Sequence, residues 1–165
     1  MRFSEKWLRE WVDPDLTTVQ LTEQLTMAGL EVDCIVPAAQ PFRGVVIGEV
    51  ESIEVHPKGS GLKVCQIDVG STQTLTIVCG AQNIDTHQKV AVALEGAHLR
   101  ILHQPQEVLK SQTIQGVVSQ GMVCSAKELG LAEISEGIMI LPKIAPVGQP
   151  LWDYLGLEDI CIEVD

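Results

Sequence analysis

The chain has 165 residues, 45% of them hydrophobic and 20% charged, with a formal net charge of −11. That length fits one ordinary domain or two small ones, and the apolar share supports a buried core and excludes a disordered chain. No apolar run reaches ~18 residues, which excludes a membrane-spanning helix, and a pI near 4.7 is a poor start for a protein that binds polyanions.

The opening "MRFSEKWLRE" lacks the apolar stretch of a secretory signal, so the expected setting is the cytoplasm. It reads as the start of a helix. Ser4 suits the N-cap, and Phe3 and Leu8 occupy the two staple positions. Trp7, Leu8, Trp11 and Val12 are predicted to form its apolar face, and Asp13-Pro14 to end it. A second helix is predicted from Thr17, which with Gln20 fits a capping box, to Gly29, a fitting residue beyond a helix end. "LEVDCIV" alternates and predicts a strand, and Pro37 to Pro41 read as a linker.

From Gly44 onward the pattern changes to short strands and turns. "VVIGEVESIEV" predicts one long extended run with a bulge or bend at Gly48. "LKVCQIDVG", "TLTIVCG", "KVAVAL", "GMVCS" and "GIMIL" predict further strands, and "AKELGL" a brief helix. The stretch 96–120 is poorly patterned, with short β candidates at "LRIL" and "EVLK". So many short strands point to a small barrel or sandwich. The tail predicts a short helix from Leu151 to Leu155, then a strand with Ile160, Ile162 and Val164 on one side. The pattern stops inside that strand, which reads as a cut within a domain.

Charge is uneven. Residues 1–39 carry three bases against seven acids, residues 40–151 eight against ten, and residues 152–165 none against five. Asp153, Glu158, Asp159, Glu163 and Asp165 read as a solvated surface rather than a metal site. Cys34, Cys65, Cys79, Cys124 and Cys161 are far apart with no C-x-x-C, and read as reduced, buried thiols. His56, His87, His98 and His103 form no ligand pairs with them and read as surface or loop residues. "VHPKGSGLKV" raises the question of phosphate binding. It lacks the G-x-x-x-x-G-K-[ST] of a nucleotide-binding loop, and no helix is predicted after it to aim its N-terminus at an anion. Gly59, Ser60 and Gly61 instead suit a turn between two strands.

"MRFSEKWLREWV" with "LTEQLTMAGLEVD" resembles the opening of the bacterial phenylalanine–tRNA ligase beta subunit. "HPKGSGLKVCQIDVG", "IVCGAQN", "KVAVALEGA" and "SQGMVCSAKELGL" are similar to the tRNA-binding domain inserted in that subunit. The resemblance covers essentially the whole chain. It implies an α+β protein in which a small antiparallel OB-type barrel, residues 40–151, is inserted into a truncated α+β module of residues 1–39 plus 152–165. The tail strand would pair near "LEVDCIV". The partners it implies are tRNA, the alpha subunit and the remainder of the beta subunit, with no membrane. It places the chain in an enzyme that joins phenylalanine to tRNA with ATP and magnesium. This stretch itself is expected to hold no cofactor, metal or catalytic residue and to be inactive alone.

The RNA-binding residues implied by the resemblance are Lys58, Lys63, Asn83, Lys110, Ser119, Met122 and Ser125. The family usually has Asn-Ala-Asp-Lys-Leu after His-Pro, where this chain has Lys58 to Leu62, and Arg-Gly where it has Gln115-Gly116. Plain alternatives stand beside these roles. Met122 and Cys124 fit a strand core, the lysines a solvated surface, Asn83 a loop cap, and Ser119 a bond to its own turn. One aromatic of the Phe, Trp or Tyr type, Phe42, lies within 42–151. Any tRNA binding is therefore expected to be weak and salt-sensitive, with Kd no tighter than ~10⁻⁵ M near physiological salt. The competing readings are a scaffold barrel making protein contacts with no RNA role, and a free-standing tRNA-binding or chaperone-like OB protein.

Overall fold

The computed structural model describes residues 1–59, 61–99 and 108–165. In chain order the elements are β1 (Arg2–Ser4), α1 (Glu5–Trp11), α2 (Thr18–Met27), β2 (Val32–Pro37), β3 (Arg43–Val55), β4 (Lys63–Asp68), β5 (Leu75–Cys79), β6 (Lys89–His98), β7 (Gln112–Ile114), β8 (Val117–Ser119), β9 (Gly121–Val123), β10 (Ile140–Leu141), α3 (Leu151–Tyr154) and β11 (Ile160–Val164). They form two compact units, Met1–Gln40 with Gly156–Asp165, and Pro41–Leu155.

In the first unit β11 is the middle strand of an antiparallel sheet, with β1 on one side and β2 on the other. The tail strand thus pairs with "VDCIVP". Leu21, Ile162 and Val164 are buried at its centre, with Phe3, Leu8, Leu16 and Leu25 packed around them. Both helix starts are capped as their residue types require. The Ser4 hydroxyl accepts the Trp7 N–H, and Thr17 and Gln20 cap each other's backbone. At the end of α2 the Gly29 N–H donates to the Thr26 carbonyl and the Leu30 N–H to the Leu25 carbonyl, the paired bonds of a Schellman motif.

The inward face of α1 differs from the one its apolar spacing predicts. Trp7, Trp11 and Val12 are exposed, and Glu5 is buried. The reason is a polar network. The Glu5 carboxylate accepts from the Arg9 guanidinium and, at 2.8 Å, from the Thr18 hydroxyl. Arg9 donates onward to the Pro14 and Leu16 carbonyls. Satisfying those carbonyls turns the Glu5 side of the helix toward α2 and leaves the tryptophans outside.

In the second unit the strand order is β10-β6-β3-β4-β5, and β9 also pairs with β6. All these pairings are antiparallel. The far edge of β5 is bonded back to the chain between β8 and β9. Val78 N–H donates to the Ser119 hydroxyl, Gln120 N–H to the Thr76 carbonyl, and Thr76 N–H to Gln120 Oε1. The result is a nearly closed barrel, which leaves little free strand edge. Its core holds Val50, Cys65, Ile67, Ile77, Val90, Val92 and Val123.

Four local expectations are corrected here. The register of β3 shifts between Val50 and Ser52 against β4 and between Arg43 and Val45 against β6, not at Gly48. Gly48 instead permits close approach: a Cβ there would sit 2.7 Å from Ile67 Cγ2 and 2.8 Å from Val92 Cγ2. "AKELGL" forms hydrogen-bonded turns, because Gly130 N–H returns to Lys127 and Leu131 N–H to Ala126 before a second helical turn can start. The cysteines divide. Cys65, Cys79 and Cys124 are buried, Cys161 is half-buried, and Cys34 is exposed. His56 is buried rather than superficial. The strand expected at "LRIL" past Leu99, His103, the first residue of "EVLK" and Ser60 lie outside the described residues.

Helix α3 packs on the barrel unit. Trp152 meets the buried Phe42 edge-to-face, with ring centroids 5.3 Å apart. Phe42 is therefore committed to the core and offers no platform for a base.

Candidate nucleic-acid interface

Three segments carry the residues named from sequence: the β3–β4 loop, the β5–β6 loop, and the run from Lys110 through β9. His56 ties the first to the third. Its Nδ1 accepts the Lys58 N–H at 3.2 Å, so Nε2 carries the proton and donates to the Ile114 carbonyl of β7 at 3.1 Å. The β7–β8 hairpin closes through Gln115 and Gly116, both at positive φ, as a two-residue primed turn requires. Sequence reasoning passed over His56 because its partner lies 58 residues away. The His-Pro that ends the β3 run was the available signal.

Lys58 and Lys110 are exposed, and neither ammonium has a partner among the described residues. Lys63 is half-buried at the start of β4, and its Nζ reaches the Ile84 carbonyl at 3.2 Å and the Gln82 carbonyl at 3.5 Å. It therefore braces the β5–β6 loop. Among the described ion pairs of the barrel unit, the only lysine is Lys89, which holds Glu49. The hydrogen bond from Lys89 and its charge keep the Glu49 carboxyl below the usual range, against the effect of burial.

Asn83 clamps rather than caps. Its Nδ2 donates to the Ile138 carbonyl at 3.0 Å and its Oδ1 accepts the Ile138 N–H at 3.1 Å. Gly137, at φ +98°, leaves room for that amide: a Cβ would lie 2.3 Å from Asn83 Oδ1. Ser119 is buried, accepting from Val78 N–H and donating to the Gly121 carbonyl, both at 3.0 Å. Its hydroxyl is used up by the barrel seam. Met122 and Ser125 do come together, lining a groove of about 400 Å³ with Gly80, Ala81, Glu128 and Ser135. Ser125 is bound to Glu128, whose Oε2 accepts both the Ser125 N–H and its hydroxyl. The structure thus gathers Met122 and Ser125 around one groove, leaves Lys58 and Lys110 free at the surface, and gives Lys63, Asn83 and Ser119 internal partners.

Burial raises the thiols beside this site: Cys65 to about 11, and Cys79 upward in the same direction. They stay neutral and add no charge to the groove. Among the described residues no cluster of three or more His, Cys, Asp or Glu side chains is placed to hold a metal ion. No helix is long and apolar enough to cross a membrane.

An antiparallel barrel with a polar groove and unpaired lysines on its loops defines a nucleic-acid-binding module of the OB type. Residues 45–150 match the family described as "Putative tRNA binding domain", and the chain belongs to that family. Beyond the barrel, the chain is similar along its whole length to a particular protein, the phenylalanine–tRNA ligase beta subunit. It is 49% identical to that of Coxiella burnetii over 165 residues, all of this chain and 20% of that protein. It is 51% identical to that of Pseudoalteromonas translucida, again over 100% of this chain and 20% of that protein. The chain spans about a fifth of the length of these curated relatives. Among solved structures, a MetRS related protein from Pyrococcus horikoshii matches with a TM-score of 0.46 and 25% identity, covering 66% of this chain and 88% of that one.

Proposed function

We propose that this chain binds tRNA weakly and positions it within a phenylalanine–tRNA ligase, as the part of the beta subunit that holds no catalytic residue. The alpha subunit and the rest of the beta subunit are its partners in this reading, in the cytoplasm. ATP and magnesium belong to the joining of phenylalanine to tRNA by the whole enzyme, and no residue described here is assigned to them.

One observation carries the reading. In a chain of net charge −11, Lys58 and Lys110 stand on the barrel's connections without a carboxylate partner among the described residues. Free ammonium groups on an otherwise acidic protein are what a phosphate strand can use. A scaffold role without RNA is favoured by a different observation: Lys63, Asn83 and Ser119 are all spent on internal bonds.

Fluorescence anisotropy with labelled tRNA separates the two. Replacing Lys58 and Lys63 together by alanine weakens binding about fivefold under the tRNA reading, most of it from Lys58, whose amine is free. An affinity unchanged by the double replacement, or no binding by the parent chain, leaves only the scaffold.

A further inference from the structure

Resting on the tRNA-binding reading above, we propose that the groove lined by Met122, Glu128 and Ser135 takes an unpaired nucleobase bearing an exocyclic amino group, and not a phosphate. The groove's about 400 Å³ is on the scale of a small-molecule site. Its single charged lining residue is Glu128. A carboxylate at that position repels a phosphate oxygen and attracts a hydrogen-bond donor.

The carboxylate is half committed. Oε2 takes the Ser125 N–H at 2.6 Å and the Ser125 hydroxyl at 2.8 Å, which fills its two acceptor directions. Oε1 has no partner among the described residues, and neither does the Ser135 hydroxyl. The cation that strand pairing brings opposite Cys79 is Lys63, and its ammonium is already held by the Gln82 and Ile84 carbonyls. The groove therefore offers an acceptor, a hydroxyl and the Met122 thioether, which packs well on an aromatic face. Adenine and cytosine present an exocyclic amino donor to such an acceptor; uracil has no amino group, and its one ring donor, N3–H, lies between two carbonyl oxygens that a carboxylate repels. With no Phe, Trp or Tyr among the groove's lining residues, Met122 supplies the flat contact that RNA-binding barrels usually take from Phe or Tyr.

The test uses the intact chain, labelled with nitrogen-15, and three probes: the RNA hexamers of adenine, cytosine and uracil, with total tRNA alongside. The adenine and cytosine hexamers bind about tenfold tighter than the uracil hexamer, the discrimination expected of one hydrogen bond to a charged acceptor. Amide resonances of Gly80, Ala81 and Met122 shift on binding. In Glu128→Gln the preference disappears, because glutamine still caps Ser125 through its carbonyl oxygen but turns an NH₂ into the groove. Equal affinity for all three hexamers while total tRNA still binds overturns the base site and leaves the tRNA reading standing. So do shifts confined to Lys58 and Lys110, or a preference that survives Glu128→Gln. Absence of tRNA binding overturns both. The hexamer comparison on the parent chain decides the matter even if Glu128→Gln fails to fold.

Discussion

At the scale of single residues, Asn83 makes the sharpest prediction. Its two bonds to Ile138 tie the β5–β6 loop to the segment before β10, and Gly137 yields the space for them. Asn83→Ala strands a half-buried N–H and C=O, so urea denaturation should show a loss of about 2 kcal/mol. Gly137→Ala should cost at least as much, because it adds a positive-φ penalty to the clash. The thiols predict an alkaline limit. Cys124 is pushed up to about 12 and Cys65 to about 11 by burial, from an ordinary value of 9.0. Both are neutral in the folded state and ionise first in the unfolded one. Their contribution is whole below pH 9 and is lost as pH rises from there through 11 and 12. Denaturation midpoints measured from pH 7 to 11 should fall above pH 9, and Cys124→Ala should flatten the fall. Cys34 behaves differently: it is exposed and donates to the Glu163 carboxylate at 3.4 Å, which raises it. In native protein it should react first with a thiol reagent, and faster in Glu163→Gln.

At the scale of elements, the β7–β8 hairpin depends on a residue outside it. The His56 ring joins the β3–β4 loop to Ile114, and replacing it by alanine removes two bonds from a buried site. His56→Ala should destabilise the barrel by about 2–3 kcal/mol. Amide exchange should quicken first at Lys58, Thr113 and Ile114, before the core strands β3 and β6. If protection there is unchanged, the hairpin is held by its own turn. What the sequence made legible follows from the same distinction. Both helix starts were readable because Ser4, Thr17 and Gln20 act within four residues. The β4 and β5 strands were readable from alternating apolar residues, and β3 and β6 from short apolar runs rich in valine. The hairpin and the outward tryptophans were not, since each depends on a partner outside the local window, and at "AKELGL" the helical spacing hid the short returns of Gly130 to Lys127 and Leu131 to Ala126. The site shows it most plainly. Met122 and Ser125 were named through the family resemblance, whereas Lys63, Asn83 and Ser119 bond to residues 19 to 55 positions away, with the second bond of Ser119, to Gly121, lying in its own turn as its residue type allowed.

At the scale of the whole molecule, net charge decides how tightly RNA can be held. The first unit carries three bases against eleven acids, and the barrel unit eight against eleven. Lys89 is neutralised by Glu49 and Lys63 is bound to carbonyls, so few cations remain to replace counterions on a phosphate strand. With two or three such contacts, log affinity should fall against log salt with a slope of about −1.4 to −2.7. Raising salt from 50 to 200 mM then weakens tRNA binding by about 7- to 40-fold. The first unit's excess of acids opposes an approaching phosphate strand through its field, which salt screens within ~10 Å at moderate ionic strength. Converting the exposed Glu10, Glu23 and Glu31 to glutamine should therefore tighten binding two- to threefold at 50 mM and hardly at all at 200 mM, as a field effect requires. Anisotropy titrations at both salts give the slope and the difference together. A gain that persists undiminished at 200 mM would mean that these carboxylates touch the RNA directly, and the field account would then be wrong.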